Sequence, residues 1–265
     1  MRALVLRIAV LVLAIAGWWL VTSAGWIRPL YLPAPDAVWD AFIRANQDHP
    51  ISAGSDRIVR GEQNYYLWEH LLASLQRIGA GVGLGVLAGI PVGLLLATVR
   101  WLSIAVEPYL HFVRSLPPLG YIGLLIVWFG IGDASKIWLL FLAAFPPIAM
   151  ATMSGVRGVH EDLVFAARSM GASRSQVVYR VLLPATVPDI VNGLRIAVGF
   201  AWTTVVAAEL NDGIPGIGGL AYASGVQLQT PLTIACIVVI GLAAVALDLM
   251  IKLIESRLVP WRGKA

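Results

Sequence analysis

The chain has 265 residues, of which 58% are hydrophobic and 13% are charged, and its formal net charge is +4. Soluble domains carry roughly twice this share of charged residues, so the composition excludes an ordinary water-soluble globule. A basic chain is also compatible with nucleic-acid binding, but arginines that flank membrane spans produce the same surplus. We therefore expect an integral membrane protein whose partner is the lipid bilayer and not a nucleic acid.

Uncharged tracts predict the membrane spans. A helix needs about 20 apolar residues, at ~1.5 Å each, to cross the ~30 Å hydrocarbon core. The tracts predict an all-α, polytopic protein with about six transmembrane helices, at 8–22, 78–98, 119–130, 137–153, 190–210 and 232–254. The third is short, so we expect it to begin earlier, near Val113, and to bend at Pro117 and Pro118.

The first tract also has features of a secretory signal segment. Arg2 and Arg7 precede it, and residues 14–16 (Ala-Ile-Ala) fit a cleavage site. The apolar run continues through Trp18 and Trp19, which is long for a signal-peptide core. We predict that this tract is retained as the first transmembrane helix.

Arginine and lysine placement predicts the orientation, because cytoplasmic loops collect positive charge. With the N-terminus in the cytoplasm, an even number of crossings returns the C-terminus there. The residues expected inside are Arg2, Arg7, Arg100, Arg114, Arg157, Arg168, Arg174, Arg180, Arg257, Arg262 and Lys264. The long segment 23–77 then lies outside, with an amphipathic helix at 36–45 and a second helix from Glu62. This connector is either simply packed or a docking surface.

Small residues predict how the second span packs. Gly81, Gly85, Gly89 and Gly93 recur at intervals of four and therefore share one helix face. In lipid, small residues let helix backbones approach closely. We expect another helix to pack on this face, either statically or so that it slides.

Two segments interrupt the apolar pattern. Pro146 and Pro147 lie inside the fourth span, where proline removes a backbone hydrogen bond and kinks a helix. The kink is either static or part of a moving, pore-lining element. The uncharged, glycine-rich segment 213–230 is expected to be a loop or a re-entrant stretch shielded from lipid.

Ionisable residues inside spans are costly and are functional candidates by default. Asp248 and Lys252 are four residues apart, so we expect them to pair along one helix face. Glu209 is the candidate for the translocation pathway, where with Thr203 and Thr204 it would line a gate or discourage anions from lingering.

Nothing in the sequence predicts catalysis or a metal site. A nucleotide-binding P-loop needs Gly-Lys-Ser/Thr, and the only Gly-Lys pair, at 263–264, is followed by Ala265. The histidines lack metal-ligand spacing, and the single Cys236 cannot form an intrachain disulfide. We predict a non-catalytic subunit with no metal and no cofactor of its own.

The polar loop 157–189 predicts an amphipathic helical hairpin. Glu161 and Asp162 favour a helix start, because acidic side chains interact well with the positive end of the helix dipole. Gly171 favours a turn after that helix. The pattern fits either a docking handle for a soluble partner or a structural loop.

A second helix is predicted after the turn. Ser173 followed three residues later by Gln176 is a capping box, which marks a helix start. Pro184 predicts the end of this second helix.

The order and spacing of Ala166-Ala167, Gly171 and residues 181–184 (Val-Leu-Leu-Pro) resemble the EAA loop of ABC importer permeases. In that family the loop is the coupling helix, which sits in a groove of the ATPase subunit. Phe165 occupies the position of the glutamate in the EAA motif. The sulfonate and nitrate branch of the family varies at this position. The resemblance assigns ATPase coupling to Glu161, Asp162, Phe165, Ala166, Ala167, Met170, Gly171, Ala172, Ser173 and Pro184.

The resemblance to taurine, sulfonate and nitrate permeases extends over nearly the whole chain. The matching segments are 32–35, 114–118, 128–132, 193–195, 206–210 and 260–263, the last being most like the taurine permeases. It implies a type I ABC importer (MetI-like) permease fold in the cytoplasmic membrane, with a first helix and connector (1–77), a permease core (78–258) and a cytoplasmic tail (259–265). The implied partners are a second copy of the chain, two copies of an ATPase that carry ATP and Mg²⁺, and an extracytoplasmic solute-binding protein.

The function expected from the resemblance is import of a small sulfonate, most of all taurine. Alkanesulfonate, nitrate, bicarbonate or a thiamine precursor are alternative solutes. An ion-coupled secondary transporter or channel is the alternative of another class; such proteins often have repeat-related broken helices and charged relays at the midplane. Uptake that continues without any ATPase would favour that class. A membrane-embedded enzyme ranks last, because no catalytic constellation is present.

Overall fold

Apolar helices dominate the computed structural model, which describes residues 2–50 and 56–258. Its helical segments that are long and apolar enough to cross a membrane are Val5–Ser23, Leu67–Thr98, Asp133–Arg157, Arg174–Ala208 and Thr230–Arg257. They correspond to five of the predicted spans, and the all-α, polytopic fold is confirmed. The tail 259–265, with the taurine-like segment 260–263, lies outside the described residues.

The helices and strands follow one another in two compact units. In chain order they are α1 (Arg2–Ser23), α2 (Pro35–Arg44), β1 (Asp48–Pro50), β2 (Ile58–Arg60), α3 (Leu67–Thr98), α4 (Arg100–Ser115), α5 (Ile122–Phe129), α6 (Asp133–Arg157), α7 (Glu161–Ser169), α8 (Arg174–Val177), α9 (Leu183–Ala208), α10 (Ile217–Val226) and α11 (Thr230–Leu258). Among the described residues, one unit consists of those up to Ser74 together with Asp212–Leu242, and the other of Leu75–Asn211 together with residues 243–258.

The first unit builds its connector from α2 and the antiparallel hairpin β1–β2. Helix α2 confirms the amphipathic helix predicted at 36–45, and it packs Ala41 into a core with Leu67 of α3 and Leu220 of α10. The hairpin was not predicted, because strands of three residues are too short to leave an alternating pattern in the sequence.

Helix α3 begins later than the predicted start at Glu62, so that expectation was wrong. Gln63 and Asn64 have φ angles of 56° and 67°, a left-handed conformation that a right-handed helix does not contain. The chain therefore turns at these residues, and the helix starts at Leu67.

The glycine-rich segment 213–230 contains the short helix α10, whose N-terminus is capped by α3. The Gly216 N–H donates to His70 Nδ1 over 3.0 Å, and the Ile217 N–H donates to Ser74 Oγ over 3.0 Å. Both acceptor side chains are fully buried, so they replace the water that a helix N-terminus otherwise requires. The segment is thus a protein-shielded short helix rather than an open loop.

In the second unit, α6 packs along the glycine face of α3. The contacting pairs are Gly81–Leu140, Gly85–Ala144, Gly89–Ile148 and Gly93–Ala149. A β-carbon added to Gly89 would lie 2.9 Å from Ile148 Cγ2, so only glycine fits at this distance. Residue numbers rise together along both helices, and α3 and α6 therefore run parallel.

Helix α9 packs on α6 in the opposite direction. Gly155 of α6 lies against Asp189, and Gly193 of α9 lies against Ala151. Helix α6 also remains one continuous helix through the predicted interruption at 146–147. The two neighbours α3 and α9 make α6 the central helix of the second unit.

The third predicted span is a helix broken in two, α4 and α5. Because α3 and α6 are parallel, the chain between them has to return across the bilayer. Glu107 of α4 contacts Arg157 at one end of α6, and Leu125 of α5 packs with Leu139 near the other end. Together α4 and α5 therefore supply the crossing that neither is long enough to supply alone.

The break confirms the predicted bend and corrects the predicted start. Residues 116–121 leave the α-helical conformation and form a 3₁₀ turn at Pro118–Gly120, as two consecutive prolines favour. The segment begins at Arg100 rather than near Val113. A search for uncharged tracts missed α4, because this helix carries charged residues at several positions.

Pro184 does not end a helix, contrary to the prediction. A π-helical segment at 178–182 joins α8 to α9, so the helix is continuous over Arg174–Ala208. The Leu183 N–H donates to the Val178 carbonyl, five residues back. Pro184 follows in the first turn of α9, where its ring and missing N–H are tolerated.

Replacing Gly89 by leucine should destabilise the α3–α6 packing by about 1–3 kcal/mol, because the new side chain collides with Ile148. Gly83→Leu is the matched control, since nothing lies within 4 Å of a β-carbon at that position. Thermal unfolding of the purified protein in detergent measures the difference. Equal melting temperatures for the two variants would contradict the close packing of these helices.

Candidate coupling loop and buried charges

Helix α7 connects two spanning helices and presents large apolar side chains. Glu161 and Asp162 occupy its first turn, as predicted. Phe165 and Met170 are 57% and 82% exposed, whereas Ala167 is buried. Large apolar groups exposed on so short a helix favour a surface that a protein partner covers.

The turn after α7 requires glycine. Gly171 has a φ angle of +85°, which residues with a β-carbon rarely adopt. Its N–H donates to the Arg168 carbonyl over 2.9 Å, and the Ala172 N–H donates to the Ala167 carbonyl over 3.0 Å. These are the two hydrogen bonds of a Schellman motif, so the direction in which the chain leaves α7 is set by the backbone.

The capping box predicted at Ser173 is confirmed. The Gln176 N–H donates to Ser173 Oγ over 3.3 Å, and the Ser173 N–H donates to Gln176 Oε1 over 2.7 Å. The long helix that contains α9 therefore starts at a defined residue, close to the end of α7.

Arg157, the last residue of α6, links this loop to α4. Its Nη2 donates to Ser103 Oγ over 2.5 Å and to Glu107 Oε2 over 3.2 Å. Residues 158–160 alone separate Arg157 from α7. Arg157 therefore connects the end of α6 that adjoins α7 with α4.

Glu209 is buried in an ion pair that sequence reasoning missed. Its Oε1 lies 2.6 Å from Arg77 Nη1, and Arg77 Nε donates to Asp133 Oδ1 over 2.7 Å. Lys136 Nζ lies 3.9 Å from the same Asp133 oxygen. Arg77 and Glu209 are 5% and 1% exposed, and their mutual attraction offsets part of the cost of burying both charges.

The sequence contains one signal that Arg77 is the partner of Glu209. Arg77 lies four residues before Gly81 and so continues the period of the glycine face. The predicted span began after Arg77 because the uncharged tract begins there. The structure extends α3 back to Leu67, which carries Arg77 into the bundle.

Thr203 and Thr204 lie on different sides of α9. Thr204 is buried, whereas Thr203 is exposed and its hydroxyl donates to the Phe200 carbonyl over 2.9 Å. Neighbouring residues of a helix point about 100° apart. The structure therefore does not bring both threonines together around Glu209.

The Asp248 carboxylate forms ion pairs with two basic side chains. Lys252 Nζ lies 2.9 Å from its Oδ2, which is the predicted pair, and Arg195 Nε donates to its Oδ1 over 2.9 Å. Arg195 is on α9 and Asp248 on α11, so spacing within one helix could not reveal this contact.

A metal site is not among these features. Within residues 2–50 and 56–258, no group of three or more His, Cys, Asp or Glu side chains is placed to hold a metal ion.

Replacing Glu209 by glutamine should lower the free energy of unfolding by about 3–5 kcal/mol, because it leaves the buried Arg77 charge with less compensation. Asp133→Asn is the control and should cost less, since the Asp133 side chain is 62% exposed. The double variant Arg77→Met, Glu209→Leu should recover most of the loss. Thermal unfolding in detergent measures all three, and a Glu209→Gln protein as stable as wild type would contradict the buried pair.

Comparisons with known proteins place the chain among membrane transport components. Residues 85–260 match the model of the family described as binding-protein-dependent transport system inner membrane component. The chain is 38% identical to the taurine transport system permease protein TauC of Escherichia coli K12, over 99% of this chain and 92% of that protein. It is 34% identical to the nitrate import permease protein NrtB of Leptolyngbya laminosa, over 84% of this chain and 76% of that protein.

Solved structures give the same result. The chain is similar to inward-facing conformations of the MetNI methionine ABC transporter, with a TM-score of 0.56 and 25% identity over 70% of this chain and 94% of that one. The family model covers more than half of the sequence, and the TauC match covers nearly all of it. The chain therefore belongs to the binding-protein-dependent transport system inner membrane components, the non-catalytic permease subunits of ABC importers.

Proposed function

We propose that this permease carries a small sulfonate, with taurine as the first candidate, across the cytoplasmic membrane. The support is the relationship to the taurine permease TauC, which extends over 99% of this chain. The nitrate permease NrtB is less similar and matches a smaller share of both proteins. Nitrate and other alkanesulfonates are therefore the solutes against which taurine has to be compared.

The ATPase is proposed to dock on α7. The observation that carries this assignment is the exposed pair formed by Phe165 of α7 and Met170 directly after it, on a short helix whose Ala167 is buried against its own chain. An amphipathic helix of this kind fits a groove in a partner. Glu161, Asp162, Ala166, Ala172 and Ser173 complete the proposed docking surface.

The assembly follows from this docking. Two copies of the permease, each with one α7, would engage two ATPases, which hold the ATP and Mg²⁺. An extracytoplasmic binding protein would deliver the solute on the opposite side. Because ATP is cytoplasmic, α7 lies in the cytoplasm. With the five candidate spans of the described residues and the broken crossing α4–α5, both termini would then lie in the cytoplasm too.

Force transmission depends on how α7 is attached. Closure of the ATPases on ATP displaces the two α7 helices. The Schellman turn at Gly171 and the short link 158–160 join each α7 to α9 and α6 without a flexible spacer. The spanning helices then rock between inward and outward access.

Phe165→Ala should reduce binding of the ATPase at least about tenfold, because it removes a large apolar side chain from the docking surface. Phe112→Ala is the matched control, since Phe112 is 62% exposed but lies on α4. Co-purification and ATP-hydrolysis rates of the reconstituted complex measure the effect. Unchanged binding by Phe165→Ala would remove α7 as the docking site.

Proteoliposomes containing the permease, its ATPase and its binding protein should import labelled taurine in an ATP-dependent way. Ethanesulfonate should compete with taurine, and nitrate should compete less. Preferred import of nitrate would overturn the sulfonate assignment, and import without ATP would overturn the importer mechanism.

A further inference from the structure

A cavity of the second unit lies beside the break between α4 and α5. It is lined by Arg114, Pro118, Tyr121, Leu142, Pro147 and Phe200. A second, wholly apolar cavity shares Tyr121 and Leu142 with it and extends to Trp128. Arg114 is an exposed side chain and is the charged residue at the edge of otherwise apolar and aromatic space.

This cavity lies beside the middle of α6, a helix that is long and apolar enough to span the membrane. Leu142 and Pro147 belong to the middle third of α6, which runs from Asp133 to Arg157. They are ~14–21 Å along that helix from Asp133. Arg114 itself lies in the last turn of α4, next to the break between α4 and α5.

Arg114 differs from the other arginines at depth in the second unit. Arg77 is neutralised by Glu209 and Asp133, and Arg195 is neutralised by Asp248. Among the described residues no carboxylate forms an ion pair with Arg114, whose Nη1 lies 3.8 Å from Met150 Sδ. A thioether sulfur is only a weak acceptor. An ionisable residue at this depth without a counter-charge marks a functional site.

The position of Arg114 in its helix does not compensate its whole charge. Arg114 lies in the last turn of α4, where carbonyl groups carry a partial charge of about −0.5. The N-terminus of α5 begins on the far side of the same break, at Ile122, and contributes a similar partial charge of opposite sign. A guanidinium carries a full unit charge, so the end of α4 compensates at most about half of it.

We propose that this cavity binds the oxyanion group of the transported solute during its passage, with Arg114 as the charge-complementary residue. The proposal rests on the proposed function, because it takes a sulfonate as the solute. A guanidinium donates two parallel hydrogen bonds to an oxyanion such as sulfonate. The apolar walls exclude water and strengthen that attraction. The site adjoins the break at 116–121, where a change of backbone conformation during transport would release the anion.

The phosphate of an anionic lipid has the same chemistry as the solute, and the depth of the cavity favours the solute. Lipid headgroups lie at the edge of the hydrocarbon core, whereas this cavity is beside the middle of α6. A test in membranes of defined charge separates the two sources.

The experiment uses the complete importer in proteoliposomes of phosphatidylcholine alone, with labelled taurine as the probe. Arg114→Gln should lower the maximal import rate about tenfold, the effect of losing a charged hydrogen bond, while ATP hydrolysis stimulated by the binding protein is retained. Arg114→Lys should recover part of the import. Arg100→Gln is the matched control, because Arg100 is an exposed residue at the other end of α4.

The outcomes are distinct. Equal import by Arg114→Gln and Arg100→Gln would overturn the site while leaving the taurine function in place. A defect that appears only when phosphatidylglycerol is added to the membrane would also overturn it, because Arg114 would then hold a lipid. Failure of the wild-type importer to move taurine, ethanesulfonate or nitrate would instead remove the proposed function on which the site rests.

Discussion

Close backbone packing of α6 against α3 and α9 is the constraint on which the second unit depends. Lipid gives no hydrophobic drive for helices to associate, so packing of small residues has to supply the attraction. Gly89 of α3, Gly155 of α6 and Gly193 of α9 each sit where a β-carbon would collide with a neighbour. We infer that the three helices move as one rigid body. The Arg77–Glu209 pair closes only because α3 and α9 are both held by α6.

The rigidity of these packed helices bears on the proposed coupling role of α7. Short, hydrogen-bonded links join α7 to the ends of α6 and α9. In the proposed mechanism, a displacement of α7 would therefore be transmitted to the bundle. The α4–α5 segment is different, because residues 116–121 interrupt its helix. Arg77, Glu209 and Arg195 are paired within the chain, whereas no carboxylate among the described residues forms an ion pair with Arg114, at the interruption. The paired charges stabilise the fold, whereas Arg114 is available to bind the proposed ligand.

Sequence reasoning succeeded where one local rule decided the structure. Apolar length located five spans, the glycine period located the face that meets α6, and Ser173 with Gln176 located a helix start. It failed where a distant contact or a neighbouring turn determined the local structure. Arg77 was excluded from a span by its charge, which Glu209 neutralises from a remote part of the chain. Pro184 was taken as a helix end, but the π-helical turn before it accommodates the ring.

The most direct test measures the distance between α3 and α6 during the transport cycle. Spin labels on Leu95→Cys and Ser154→Cys, exposed sites on the two helices, report it in proteoliposomes once Cys236 is replaced by alanine. The rigid-body account predicts that trapping the ATP-bound state changes this distance by less than about 1.5 Å, the rise of one helical residue. A shift approaching one helical turn, ~5.4 Å, would mean that the helices slide past each other and would contradict the account.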